Sequence, residues 1–181
     1  MEWKKFSMSN LRLINETSVS GSVNTLEVPY VFTSDFDIYK VTIKDWETAS
    51  TTADNCYMRF IDNSGNIITT ATIDFAGLGI IATTTFYESR NTNQSSGSIV
   101  FGSDNPEGAN AVMYFFNPMN TNSYTFSMHQ SAEIKNNNFT SIKQIQVLKQ
   151  TGLVSGFSLT NYTSPVDKGT VRVYGLRVDN G

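Results

Sequence analysis

Apolar and polar residues alternate with a period of two along several stretches of the chain. Every second residue from Tyr39 to Ile43 is apolar and the residues between them are polar, as in a strand with one buried and one wet face. The segment Cys56–Asp62 alternates in a similar way, and the polar stretch at 62–66 that follows it predicts a hairpin turn with antiparallel strands on either side. This pattern favours β-structure.

Short β-favouring runs of this kind recur along the whole chain, separated by turns rich in Ser, Thr, Asn and Gly. The predicted strands are Leu11–Glu16, Val23–Tyr30, Ile38–Asp45, Cys56–Asp62, Ile67–Asp74, Ile80–Tyr87, Ser98–Phe101, Ala111–Phe116, Tyr124–Gln130, Ile142–Leu148, Gly156–Thr160 and Val171–Val178. Helical periodicity is absent, and the only candidates for a helical turn are Met1–Phe6 and Asp45–Thr48. We expect an all-β fold: a single antiparallel two-sheet sandwich, jelly-roll-like, over residues 1–181 with an N-terminal arm at 1–10.

Composition narrows the possible partners. Charged residues are 16% of the chain and the formal net charge is −3, with no cluster of Lys and Arg after Lys4 and Lys5. A groove that follows nucleic-acid phosphates needs such a cluster, so nucleic acid is not an expected partner. The N-terminus lacks the apolar run of a secretory signal, and no segment has the ~20 apolar residues of a membrane span. We expect a protein that is made in the cytoplasm and does not contact a membrane.

The sequence offers few groups for catalysis. The single cysteine, Cys56, excludes an internal disulfide and is expected to pack as a small apolar side chain. The single histidine, His129, alternates with Phe126 and Met128 and is expected on the wet side of its strand. No phosphate-binding loop or nucleophile elbow is present. We therefore predict no catalytic residue, no cofactor and no metal.

Paired loop acids are the one pattern that suits an enzyme, because glycoside hydrolysis needs two carboxyl groups facing a sugar bond. Glu88, Asp104 and Glu107 lie near the aromatic residues Phe86, Tyr87 and Phe101 in sequence. Acids in loops are solvated by default, so we interpret these three as surface carboxylates and give a polysaccharide-degrading enzyme the least weight.

Two β-favouring runs close the chain, Val154–Leu159 and Gly169–Leu176. Gly169 is expected to supply the positive φ of the turn into the last strand. Gly175 is expected to mark a bulge or a close backbone approach.

With these closing runs, the start Met1-Glu2-Trp3, the segment Asp37–Ile43 and the turn Asp62–Gly65, the chain resembles the small jelly-roll or β-sandwich structural proteins of tailed-phage virions. The resemblance implies residence in a virion, as a capsid decoration or cement subunit or as a head-fibre, tail or receptor-binding module. It carries no catalytic residue. Strand signals begin by Leu11, with no stalk or anchor before them, which favours decoration or cementing through multivalent protein contacts.

The expected partners are other copies of the chain, in a symmetric oligomer for which a trimer is the leading form, and the major capsid protein or other virion proteins. The candidate interface residues are apolar side chains that a sandwich has trouble burying: Trp3, Phe6, Phe116 and Met119. The alternative is a tail or head-fibre module that binds host-surface carbohydrate through aromatic rings. Its candidate residues are Tyr87, Tyr114 and Tyr162.

Overall fold

The computed structural model describes residues 10–50, 54–83, 86–99, 108–135 and 137–177, and every regular element in these ranges is a β-strand. The strands are β1 (Leu11–Val23), β2 (Thr25–Val28), β3 (Ile38–Thr48), β4 (Cys56–Asp62), β5 (Ile73–Ile81), β6 (Tyr87–Gln94), β7 (Gly97–Ser98), β8 (Ala109–Phe116), β9 (Thr125–Lys135), β10 (Asn138–Leu148), β11 (Val154–Asn161) and β12 (Val166–Leu176). The all-β prediction is confirmed. The N-terminal arm, apart from Asn10, lies outside the described residues.

The strands form two antiparallel sheets of unequal size. The large sheet has eight strands in the order β1-β12-β3-β8-β9-β10-β5-β6, and the small sheet has four in the order β2-β11-β4-β7. The predicted two-sheet sandwich is confirmed. In each sheet a strand from the C-terminal part of the chain is paired on both sides: β11 lies between β2 and β4, and β12 lies between β1 and β3.

The apolar core lies between the small sheet and the β12, β3 and β8 part of the large sheet. Aromatic rings dominate it: Phe115 stacks on Phe157 with ring centroids 5.3 Å apart and meets Phe60 edge-on at 6.1 Å. Trp46 is fully buried, and its Nε1–H donates to Oδ1 of Asn161 at 3.0 Å. The core therefore ties the middle of one sheet to the middle of the other.

The two closing strands are present, but their glycines act differently from the prediction. Gly169 does not have a positive φ and lies inside β12, where an added Cβ would be 2.8 Å from Cε3 of Trp46. At Gly175 the predicted bulge is absent, since β12 pairs with β3 without a shift from Thr170 onward. The ring of Phe36 packs against this glycine and leaves no room for a Cβ. Both glycines make room for aromatic rings.

Three predicted elements are wrong in place or type. The segment Asp45–Thr48 is not helical, because β3 continues through it past a positive φ of 52° at Asp45. The predicted strands Ile67–Asp74 and Ile80–Tyr87 are displaced, because β5 occupies Ile73–Ile81 and β6 begins only at Tyr87. The other helical candidate, Met1–Phe6, lies outside the described residues.

The predicted hairpin turn at 62–66 is confirmed. The backbone N–H of Asp62 donates to the carbonyl of Asn66 at 2.9 Å, and Ile61 and Ile67 form an antiparallel bridge beyond it. Pairing stops soon after this bridge, because β4 takes β11 and β7 as its strand partners.

Candidate functional site

Part of the outward side of the large sheet is apolar across β8, β9, β10 and β5. Antiparallel register places directly opposed residues on the same face of a sheet. One such row contains Tyr114, Met128, Ile145 and Ala76, each paired with the next across the strands. A charged or polar row would be expected where a sheet faces water.

A second row lies beside the first and contains Phe116, Phe126 and Val147. Phe126 is 43% exposed and Ile145 of the first row is 58% exposed. We call Phe116, Phe126, Met128, Ile145 and Val147 the outer apolar face. These residues line a shallow concavity of about 710 Å³.

Beyond the outer apolar face, Lys143 and Gln130 form a polar interruption on the same side of the sheet, and the exposed apolar residues Leu78, Ile80 and Phe139 lie at the far ends of β5 and β10. Single exposed apolar residues are ordinary on a protein surface, but a contiguous group of them marks an interaction surface.

Charged residues of both signs border the outer apolar face. Nζ of Lys149 lies 2.8 Å from Oδ1 of Asp74, and Arg90 lies 3.9 Å from Glu88 across exposed side chains. The hydrogen bond from Lys149 lowers the pKa of Asp74, so this carboxylate stays ionised. The border is therefore polar and carries no single dominant charge.

Beneath the outer apolar face, the inward side of β9 and β10 is polar. Apart from the apolar Ile142 and Leu148, its buried side chains are Thr125, Ser127, His129, Ser131, Glu133, Thr140, Gln144 and Gln146. The amide of Gln144 donates to the backbone carbonyl of Ser98 in β7, and the amide of Gln146 packs against Gly97. In this half of the large sheet the usual distribution of polar and apolar residues is reversed.

His129 belongs to this buried polar row and not to the wet side of its strand, so that prediction is wrong. Burial is the main cause that lowers its pKa to about 4, and the nearby backbone of Ile99 acts in the opposite direction. The imidazole is therefore neutral at neutral pH. Cys56 is buried as predicted, and burial raises the pKa of its thiol, which keeps it in the unreactive protonated form.

Acidification is expected to destabilise the protein through His129. The unfolded chain binds a proton near the ordinary pKa of 6.5, whereas the folded chain resists protonation down to about pH 4. The stability due to neutral His129 is thus present above pH 6.5 and lost as the pH falls, amounting to about 2 kcal/mol between pH 7 and pH 5. Urea unfolding at both pH values should show this loss in the wild type and not in His129→Gln. Equal losses in both proteins would contradict it, since the chain has no other histidine.

A second concavity opens on the inward side, where the small sheet leaves β5 and β6 uncovered. This inner cleft has a volume of about 680 Å³ and is lined by residues of β4, β5, β6, β7, β9 and β10. Tyr57 of β4 and Tyr87 of β6 both line it, with Lys135 and Thr140 at the β9–β10 end. It combines aromatic rings with amide, hydroxyl and ammonium groups.

The tyrosines proposed for carbohydrate binding fall on different sides of the sheet. Tyr87 lines the inner cleft, and the ring of Tyr162 lies 5.6 Å from that of Tyr57, which also lines it. Tyr114 lies on the outward side beside Met128. No feature of the sequence distinguishes Tyr57, which lies in a strand of ordinary alternation.

The candidate interface residues also separate. Phe116 belongs to the outer apolar face, whereas Met119 is half-buried against the core. Trp3 and Phe6 lie outside the described residues. Of the loop acids, Glu88 lies exposed in β6 beside Arg90, and Asp104 and Glu107 lie outside the described residues.

Within the described ranges, no three His, Cys, Asp or Glu side chains come together as a metal site would require. The part of the chain that the structure describes has no helix that could cross a membrane.

No protein-family model matches the chain, and no curated protein matches it. Among solved structures, the CBM2 module of the evolved Dit protein of Lactobacillus casei BL23 phage J-1 is 6% identical with a TM-score of 0.27, covering 87% of this chain and 70% of that one. An alginate lyase from Alteromonas sp. 272 is 10% identical with a TM-score of 0.25, covering 91% of each chain. A structure of infectious bursal disease virus, Gx strain, is 13% identical with a TM-score of 0.15, covering 94% of this chain and 37% of that one. Similarities this low assign no function.

Proposed function

We propose that the protein is a non-enzymatic structural protein of a tailed-phage virion, acting as a capsid decoration or cement subunit. The observation that carries this proposal is the outer apolar face, with Phe126 and Ile145 exposed at its centre. Apolar surface of this kind is unfavourable in water until another surface covers it. The resemblance of the sequence to virion proteins supports a location in a virion, where a surface that covers the outer apolar face would be present in many copies.

The surface that covers the outer apolar face in this proposal is another copy of the chain. Cations and anions alternate along its border, with Lys149 beside Asp74 and Arg90 beside Glu88. Two copies can therefore meet without a uniform repulsion between their borders. The resulting homo-oligomer, for which we expect a trimer, attaches to the major capsid protein through repeated weak contacts whose strengths multiply.

The non-enzymatic part of the proposal is supported by the placement of the two groups best suited to catalysis. His129 and Cys56 are both buried, and the raised pKa of the thiol disfavours the nucleophilic thiolate. Neither side chain can meet a substrate without opening the sandwich.

Placing a charge in the outer apolar face is expected to separate the subunits without unfolding them. Ile145→Asp removes an exposed apolar side chain from the contact and should weaken self-association roughly 10- to 100-fold. Leu13→Asp is the matched control, because Leu13 is similarly exposed, at 50%, on edge strand β1 of the same sheet. Light scattering of the purified proteins measures the association, and thermal melting confirms that both variants fold.

The same two variants test the virion setting when they replace the wild-type gene during particle production. Ile145→Asp should be depleted from purified particles, and Leu13→Asp should be retained at the wild-type level. A monomeric wild-type protein, or equal depletion of both variants, would contradict the proposed contact. Immunogold label confined to the tail would favour the receptor-binding alternative over capsid decoration.

A further inference from the structure

We propose that the inner cleft binds a neutral hexose oligosaccharide, with the ring of Tyr87 as the platform on which a sugar ring stacks. The cleft lies on the side of the large sheet opposite to the outer apolar face, so a sugar and a neighbouring subunit can be bound at the same time. Its volume of about 680 Å³ falls within the range of roughly 300–1,000 Å³ that is typical of small-molecule sites.

Glycine in β5 sets the position of the platform. Gly79 pairs with Tyr87 across β5 and β6, and a Cβ at Gly79 would collide with the Tyr87 ring. The ring therefore lies across β5 on the inward side, over a position without a side chain. Glycine inside a strand is unfavourable for folding, and this one allows a close approach that no other residue permits.

Two further tyrosines form the wall opposite Tyr87. Tyr57 lines the cleft from β4, and the ring of Tyr162 packs beside it at an interplanar angle of 54°, with 72% of Tyr162 exposed. Aromatic rings present an apolar face to the C–H side of a sugar ring and a hydroxyl to its polar edge. Burial raises the pKa of both Tyr57 and Tyr87, so their hydroxyls stay protonated and can donate hydrogen bonds.

The polar groups of the cleft match hydroxyl-rich ligands. The half-buried Ser89 and Ser96 contribute hydroxyls, and Asn55 contributes an amide. Lys135 donates from Nζ to Oδ1 of Asn55 at 2.6 Å, which fixes the ammonium at one end of the cleft. Such groups can donate and accept, as the hydroxyls of a sugar require.

The charges favour a neutral sugar over an acidic one. Lys135 donates to the neutral amide of Asn55 and keeps its positive charge, while the rim residues Glu88 and Arg90 carry opposite charges 3.9 Å apart. Recognition of a polyanion needs several cations in excess of anions. The described lining of the cleft has two cations, Lys135 and Arg90, against one anion, Glu88, which is too small an excess for a polyanion.

A glycan array carrying neutral hexose oligomers of both α and β linkage, together with oligogalacturonates, tests the inference. The wild-type protein should bind at least one neutral oligomer and bind the oligogalacturonates more weakly. Calorimetric titration with the best neutral oligomer should show roughly tenfold weaker binding for Tyr87→Ala, a loss of about 1.4 kcal/mol. Tyr114→Ala is the matched control, because it removes the same side chain from the outward side of the sheet, and it should bind like the wild type.

Two further variants keep the result interpretable. Tyr87→Phe retains the stacking ring and should keep most of the affinity. Ser89→Leu places a branched apolar side chain in the cleft beside Tyr87 and should abolish binding. It takes the place of Tyr87→Ala as the test if Tyr87→Ala does not fold. The inference is overturned if no neutral oligomer binds, if the acidic oligomers bind best, or if Tyr87→Ala and Tyr114→Ala behave alike.

Discussion

Replacing Trp46 by alanine is expected to lower the free energy of unfolding by about 3–5 kcal/mol. The indole is fully buried, lies against the backbone of Gly169, and donates from Nε1 to Asn161 at 3.0 Å. Its removal empties the space that Gly169 leaves free and breaks the link between β3 of the large sheet and β11 of the small sheet. Urea unfolding followed by circular dichroism measures the loss.

Trp46→Phe separates packing from hydrogen bonding. It keeps most of the ring and leaves Oδ1 of Asn161 without the indole donor, which should lower the free energy of unfolding by about 1–3 kcal/mol. Alanine should therefore destabilise more than phenylalanine. If the two variants lose the same amount, the hydrogen bond and not the packing accounts for the effect. A loss below about 1 kcal/mol for Trp46→Ala would show that this ring does not hold the sheets together.

Replacing Asp54 by asparagine is expected to lower the free energy of unfolding by about 2–3 kcal/mol. Oδ2 of this buried carboxylate accepts from the backbone N–H of Thr163 at 2.7 Å, from its hydroxyl at 3.0 Å and from the N–H of Ser164 at 2.8 Å. Oδ1 accepts from the N–H of Asn55 at 2.8 Å. An amide would direct an NH₂ group at one of these donors. The loop between β11 and β12 would lose its anchor.

Asp62→Asn is the matched control for Asp54→Asn. Oδ1 of Asp62 also accepts two backbone N–H groups, from Ser64 and Asn66, but it does so in an exposed turn. Water can replace those bonds, so the free energy of unfolding should fall by less than about 1 kcal/mol. Thermal and urea unfolding of both variants provide the comparison. An equal loss at the two positions would mean that burial does not strengthen the Asp54 contacts.

Alternation along the chain predicts which residues share a face but not which face is covered. In β9, Phe126 and Met128 share one face and Ser127 and His129 share the other, as the sequence indicates. Hydrophobicity alone assigns Phe126 and Met128 to the core, yet the structure buries Ser127 and His129. The choice depends on which side the small sheet packs against, and no local pattern contains that information. The outer apolar face could therefore not be located from the sequence, although its members could be grouped.

Glycine was the main source of misplaced boundaries. The predicted strands Ile67–Asp74 and Ile80–Tyr87 lie on either side of Gly77 and Gly79, where glycine interrupts the apolar run of β5. In the folded chain both lie within a regularly paired strand, and Gly77 is small because Gln144 of β10 packs against it. The partner that explains each glycine is remote in sequence. The closing strands were found because long β-favouring runs specify their conformation locally.

The inner cleft could not be predicted from the sequence for the same reason. Its walls come from β4, β6 and the β9–β10 hairpin, which are far apart along the chain. Tyr87 was selected from the sequence for its aromatic side chain, as was Tyr114, and only the sheet register separates the two. Tyr57 and Lys135 carry no local signal, because their importance depends on the strands that face them.

The two outermost strands of the large sheet bear on how the protein behaves at high concentration. An open sheet can add further strands without limit and grow into fibres, unless its edges resist pairing. Edge strand β6 has the polar and charged sequence YESRNTNQ and turns through a positive φ of 54° at Asn93. Edge strand β1 is interrupted by two register shifts and by Gly21 at a φ of 102°. Neither edge of the large sheet offers a straight template, so this sheet should not extend into β-fibrils even in concentrated protein.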